Sequence, residues 1–278
     1  MASKFRARTA AIVAVNLVVT VAVLRPALAA DASAWDGDQR AAVRLIAAAQ
    51  RGTLVTYRGG IEIRLAPGWK TYWRYPGDSG VPPRFDFSHS TNVKSVTVRY
   101  PAPQRLADES GTSIGYKHGV VFPLEIVPQN AAQPVKLVMK ADYAICEKIC
   151  IPAEGSAELS VTGKPGGQDD RLKQNDALVP SPASIGAGAL LAVRAVTRDG
   201  KRILVDVAAP GAAELFAEGP TADWALPVPA PIDGAPAGQQ RFAFELDGLP
   251  SNAKADGVTL TLTAVSGGRA IEVPYRLD

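Results

Sequence analysis

The residues in this sequence with the most evident chemistry are its two cysteines, Cys146 and Cys150. They stand in Tyr143-Ala144-Ile145-Cys146-Glu147-Lys148-Ile149-Cys150-Ile151-Pro152. A thiol pair this close in sequence fits three chemistries: an exchangeable redox disulfide, an inert cross-link, or a soft-metal site. A cross-link closing five residues is worth only ~2 kcal/mol in the chain-entropy model, a modest gain for a chain with ample apolar content. A disulfide in a short, bent loop is also the kind that exchanges most readily. Lys148, between the two thiols, would favour a thiolate, and Glu147 would oppose it. Two thiolates cannot complete a zinc site. They suffice for Cu(I), a soft ion that tolerates few ligands, with Met139 as a further soft donor. Spacing alone leaves the three readings open.

Geometry says how the segment must fold. Bonded cysteines need Cβ atoms roughly 3.5–4.5 Å apart. Residues four apart on a helix have theirs about 5–6 Å apart, and a straight strand separates them further. The segment must therefore turn tightly, and the flanking pattern makes it a join between two strands. Strand signals dominate the rest of the chain. Leu54-Val55-Thr56-Tyr57 and Ile61-Glu62-Ile63-Arg64-Leu65 alternate around Gly59-Gly60, ahead of the Ala66-Pro67-Gly68 break. Further strands are expected over 93–100, 120–127, 135–139 and 157–161. Pro123 marks the second of these as an edge strand or a bulge. Ala41 to Ala47 fits a short helix and a strand equally well. Residues 163–186, with Gly166-Gly167, Pro180 and Pro182, have the composition of a linker with a helical turn near Leu172. Strands resume over 190–196, 202–207, 241–246, 258–265 and 271–277, with Asp199-Gly200 as a hairpin turn. The expectation is an all-β protein of two immunoglobulin-like antiparallel sandwiches, over residues 30–162 and 187–278.

The chain of 278 residues is 47% apolar, enough for two cores. Its N-terminus reads as a signal peptide over residues 1–29. Lys4, Arg6 and Arg8 precede an apolar run from Ala10 to Leu24, and Ala27-Leu28-Ala29 supplies the small residues a signal peptidase requires. That run would be about 22 Å long as a helix, short of a ~30 Å hydrocarbon core. The expected mature protein lies in the periplasm with no membrane insertion after cleavage, an oxidising compartment where a disulfide is expected. The formal charge of +3 comes from the leader: without Lys4, Arg6, Arg8 and Arg25, 26 basic residues face 27 acidic ones. Nucleic acid is therefore not an expected partner, and no cofactor is implied. Gly111-Thr112-Ser113-Ile114-Gly115 has the spacing of a nucleophile elbow without its strand-to-helix context. His118 is a lone histidine near the same stretch, where it would serve in proton transfer or do nothing.

The cysteine segment resembles the corresponding loop of the periplasmic N-terminal domain of the DsbD and ScsB thiol:disulfide reductases. Ala66-Pro67-Gly68-Trp69-Lys70-Thr71-Tyr72-Trp73-Arg74-Tyr75-Pro76-Gly77-Asp78 adds to it, as does Gly115-Tyr116 ahead of Val121-Phe122-Pro123-Leu124. The resemblance spans about residues 40–162, and the region beyond the linker resembles the extra sandwich of longer members. It implies a redox-active Cys146/Cys150 pair at one end of an immunoglobulin-like sandwich. The pair would take electrons from a membrane-embedded thiol reductase and pass them to periplasmic disulfide-bearing proteins, with Cys150 as the thiol that partners reach. The chain ends at Asp278 without the transmembrane and thioredoxin domains usual in these reductases, so the resemblance implies a separate electron donor. Tyr72 matches a family tyrosine near the pair, and a core aromatic on a strand is the alternative. The stretch that would shield the thiols, Asp108 to Tyr116, carries Asp108-Glu109-Ser110-Gly111 and no Phe. Shielding would then be looser, or fall to Tyr116.

Overall fold

The computed structural model describes residues 31–49, 56–77, 80–108 and 111–278. The leader, the first two residues of the 54–57 strand signal and Glu109 lie outside them.

Alternating sequences fold into a first sandwich from β1 (Asp36–Gly37), β2 (Ala41–Ala48), β3 (Tyr57–Leu65), β4 (Lys70–Gly77), β5 (Arg84–Asp86), β6 (Val93–Val98), β7 (Gln104–Asp108), β8 (Gly111–Lys117), β9 (Gly119–Pro128), β10 (Val135–Cys146) and β11 (Cys150–Val161). One sheet runs β1-β2-β3-β9-β6; the other runs β11-β10-β4-β8-β7, with β5 also on β10. Helix α1 (Asp169–Asp176) follows. A second sandwich is made of β12 (Ser181–Pro182), β13 (Ala192–Asp199), β14 (Arg202–Ala208), β15 (Glu214–Glu218), β16 (Ala230–Ile232), β17 (Gln239–Glu245), β18 (Thr259–Ser266) and β19 (Arg269–Arg276). Its sheets run β12-β19-β18-β15 and β13-β14-β17-β16. The expected all-β, two-sandwich architecture is what forms.

Two local expectations resolve on physical grounds. The ambiguous stretch from Ala41 is the strand β2, and it is buried along nearly its whole length. Its inner face joins the core, while Ile46 and Ala48 on the outer face pack with Val121 beneath Leu172 of α1. A strand covered on both faces loses the period-two signature. Pro123 is neither on an edge strand nor at a bulge: β9 is central, in unbroken register with β3 through Gly60↔Pro123. The proline is tolerated because its carbonyl accepts from the Arg99 N–H just past the end of β6. The donor it lacks would point to that same side, where the ladder runs out.

The stretch between the sandwiches is strapped to the first one. The Asp169 carboxylate accepts from the Ala49 N–H at 2.7 Å, Arg58 pairs with Asp176, Arg171 pairs with Glu62, and the Ala102 N–H donates to Leu178 O. Gly60 makes this docking feasible: a Cβ there would lie 2.7 Å from Leu172 Cδ2. The two sandwiches also pack on each other. Trp73 meets Phe216 with ring centroids 5.9 Å apart, and Arg105 donates to Pro229 O at 2.7 Å.

Candidate functional site

Cys146 ends β10 and Cys150 begins β11, so the pair closes a long antiparallel hairpin whose turn is Glu147–Lys148–Ile149. The two cysteines are disulfide-bonded, with Cα atoms 4.1 Å apart. Their surroundings differ. Cys146 is buried, paired across the ladder with Lys70 of β4 and clustered with Tyr72 and Ala144. Cys150 is exposed, on the edge strand of its sheet. Ile149 beside it is 74% exposed, an apolar side chain at the apex of the turn.

Strand β4 builds the floor of the site. Alternation puts Lys70 and Tyr72 on the outer face with Cys146, and turns Thr71 inward, where its hydroxyl donates to Ala144 O at 2.9 Å. Tyr72 is buried, and its Oη lies 3.0 Å from Cys150 Sγ. A disulfide sulfur carries no proton, so the hydroxyl is the donor. Gly115 lets β8 close on this point, since a Cβ there would lie 2.0 Å from Thr71 O. Lys70 is buried as well, and its Nζ donates to Ser113 Oγ at 3.2 Å. The Glu147 side chain lies over Gly68, where a Cβ would stand 3.1 Å from its Oε1.

Of the residues singled out from sequence, Cys146, Cys150 and Tyr72 come together. Lys148 sits exposed in the turn. Asp108 ends β7 opposite Gly111 at the tip of the β7–β8 hairpin. Tyr116 is corrected: it is a core residue, not a shield. Its hydroxyl donates to Pro101 O at 2.9 Å, its ring meets Phe122 edge-on at 5.5 Å, and burial holds its pKa well above the ordinary tyrosine value. Alternation explains this, because Tyr116 pairs with inward Thr71 while Gly115 pairs with outward Tyr72. Met139 is corrected too. It is fully buried seven residues before Cys146 on one strand, about 23 Å away at strand rise, and cannot share a metal with the thiols. Among the described residues no three His, Cys, Asp or Glu side chains converge as a metal site. His118 turns toward α1, lining a cavity of about 230 Å³ with Glu62, Arg64, Arg171 and Asn175. Lys70 was the residue of this site that sequence reasoning missed. Its only signal was its place between Trp69 and Thr71 in the Ala66–Asp78 motif.

An immunoglobulin-like sandwich with a cysteine pair closing a hairpin at one end is the class that fold and site define. Residues 39–162, which take in nearly all of the first sandwich, match the family described as thiol:disulfide interchange protein DsbD, N-terminal. The N-terminal periplasmic domain of ScsB from Proteus mirabilis superposes with a TM-score of 0.70 at 20% identity, covering 89% of this chain and 98% of that one, so the likeness in fold takes in both sandwiches. The yeast GGA1 GAE domain aligns over 46% of this chain and 97% of its own at 12% identity and a TM-score of 0.25, too low to support an argument. No curated protein matches the sequence. No helix among the described residues is long and apolar enough to cross a membrane.

Proposed function

We propose that this is a periplasmic thiol:disulfide exchange protein, carrying electrons from a membrane-embedded thiol reductase to periplasmic proteins that bear disulfides. The observation that supports this best is the asymmetry of the pair: Cys150 is exposed with a tyrosine hydroxyl on its sulfur, and Cys146 is buried behind it.

In the loading half-reaction, a thiolate of the reductase attacks Cys150 Sγ. The Cys146–Cys150 bond breaks, Cys146 leaves as thiolate, and a mixed disulfide links Cys150 to the reductase. The reductase's second thiol attacks its own sulfur in that bond, so the reductase leaves oxidised and the pair leaves as a dithiol. In the delivery half-reaction, Cys150 as thiolate attacks a client disulfide and the client's displaced sulfur takes up a proton. Cys146 then attacks Cys150 Sγ, which restores the disulfide and releases the client with two electrons and two protons gained. The Tyr72 hydroxyl favours Cys150 as thiolate by donating to it. Buried Lys70, opposite Cys146, favours the thiolate that departs.

Titration of the pair against a glutathione couple tests the reading. The expected potential lies above about −300 mV, the region of exchangeable disulfides. A potential well below that line makes the bond an inert cross-link. Stoichiometric Cu(I) uptake by reduced protein without exchange makes it a metal site.

A further inference from the structure

Strand β4 carries both the floor of the thiol site and the contact between the sandwiches. Its first residues are held by their own sheet: Lys70 and Thr71 pair with β10, and Lys70 to Tyr72 pair with β8. Beyond Tyr72 the arrangement changes. The register with β8 breaks between Tyr72 and Gly77. On the other side, β10 exchanges β4 for β5, which pairs with Lys140 to Asp142.

Where the sheet register breaks, the second sandwich takes hold. Trp73 packs on Phe216 of β15. Arg74 donates from Nε to Glu218 Oε1 at 2.8 Å, and from Nη2 to Glu218 Oε2 at 2.7 Å and Glu272 Oε1 at 2.5 Å. Its guanidinium lies 4.4 Å from the Trp73 ring centroid and 5.7 Å from that of Tyr100. The Tyr75 hydroxyl donates to Trp224 O and accepts from the Leu226 N–H. A two-toothed arginine fork stacked on aromatic rings fixes direction as well as distance. Three successive residues after Tyr72 are thus gripped by β15, β19 and the segment 224–226.

We infer that the second sandwich is a clamp that sets Tyr72 against Cys150, with Arg74, Tyr75, Glu218 and Glu272 as positioning residues. This rests on the reading of the pair as an exchanging disulfide. The contact it controls is short and directional. A hydroxyl moved by about an ångström from 3.0 Å loses most of its hydrogen bond. The bonds of Arg74 and Tyr75 run to the second sandwich, so they act on the site through the position of β4.

The test uses the full chain carrying Cys146→Ser, so that Cys150 is its one thiol, and follows alkylation by iodoacetamide across pH. Glu218→Gln with Glu272→Gln removes the charges that hold the fork, and Tyr75→Phe removes only a hydroxyl. Each change should slow alkylation near neutral pH about three- to tenfold, as the Cys150 thiolate loses its donor and its titration moves up. Tyr72→Phe alone should do the same. Added to Tyr72→Phe, the clamp changes should have no further effect, because what they position is gone. If the double Gln variant loses its near-UV dichroism, Tyr75→Phe carries the comparison. The inference is overturned if the clamp variants alkylate like the parent, if Tyr72→Phe does, or if the effects add in the Tyr72→Phe background. Failure of the parent chain with both cysteines to exchange with glutathione sinks the functional reading instead, and is read separately from the alkylation profile.

Discussion

At the scale of single residues, the two cysteines are set apart by their strands. Cys146 is the last residue of an inner strand, paired with β4 and covered by Tyr72 and Ala144. Cys150 is the first residue of an edge strand, with exposed Ile149 before it. An attacking thiolate needs a clear path to the sulfur it strikes. Cys146→Ser is therefore expected to accumulate covalent complexes in periplasmic extract, because Cys150 remains to attack and nothing resolves the bond. Cys150→Ser is expected to accumulate few, as judged on non-reducing gels. The reverse pattern would exchange the roles of the two thiols. The sequence alone does not choose between the two, since both flank Lys148, whereas the family resemblance implies Cys150. What separates them physically is whether the neighbouring strand continues past the thiol, a tertiary fact invisible in a ten-residue window. Tyr116 shows the converse: it stands one residue from the position that faces Tyr72, and that single step turns it into the core.

At the scale of elements, the clear alternations became strands, β4, β7 and β8 formed where no strand is expected from sequence, and β2, α1 and β15 were obscured by one shared cause. β2 reads as helix or strand because α1 covers its second face, and α1 lies in a stretch whose Gly and Pro content suggests a linker with no more than a helical turn near Leu172. β15 gives no strand signal because its sequence, Glu214 to Glu218, has charged ends and no β-branched residue. Its Glu218 is buried only because Arg74 arrives from the other sandwich. Each case depends on a partner far away in sequence. The Gly60–Leu172 contact makes this measurable. Leu172→Ala should destabilise the protein by about 2–4 kcal/mol in denaturant unfolding, as for a fully buried leucine. Gly60→Ala should also destabilise, because its Cβ would press on Leu172 Cδ2. The two together should cost less than their sum, since the first change opens the room the second needs. Strict additivity would mean that α1 does not press on β3 through this pair.

At the scale of the whole molecule, the sandwiches are joined by two independent means, the chain and the face between them. We propose domains at residues 30–162 and 187–278, with 163–186 as a connection whose β12 adds an edge strand to the second sandwich. Within it, α1 is docked, whereas Ile185 and, just beyond, Leu190 stand exposed at 40% and 69%. Limited proteolysis should cut at 184–190 and spare 168–179. The halves should then co-elute on gel filtration, because the face gripping Trp73, Arg74 and Tyr75 survives the cut. Separate elution would show that the face does not hold on its own. The same face carries a charge whose titration can be followed. Burial raises the pKa of Glu218 above the ordinary glutamate value, and its hydrogen bonds and charge contact with Arg74 only partly reverse this. Burial likewise works against the charge on Arg74, but Glu218 and Glu272 more than offset it, so that Arg74 stays cationic throughout. The native state therefore binds the Glu218 proton more readily than the unfolded chain does. The stabilisation from this group is complete below the ordinary value near 4.5 and is lost as pH rises through the higher native value. Glu218→Gln removes that titration and leaves the other groups in place. The stability of the native protein relative to this variant should rise as pH falls from 7 toward 4, read from thermal melts of the two proteins side by side. A relative stability that falls over that range would mean Arg74 outweighs burial, and that the ion pair between the sandwiches is a net source of stability at neutral pH.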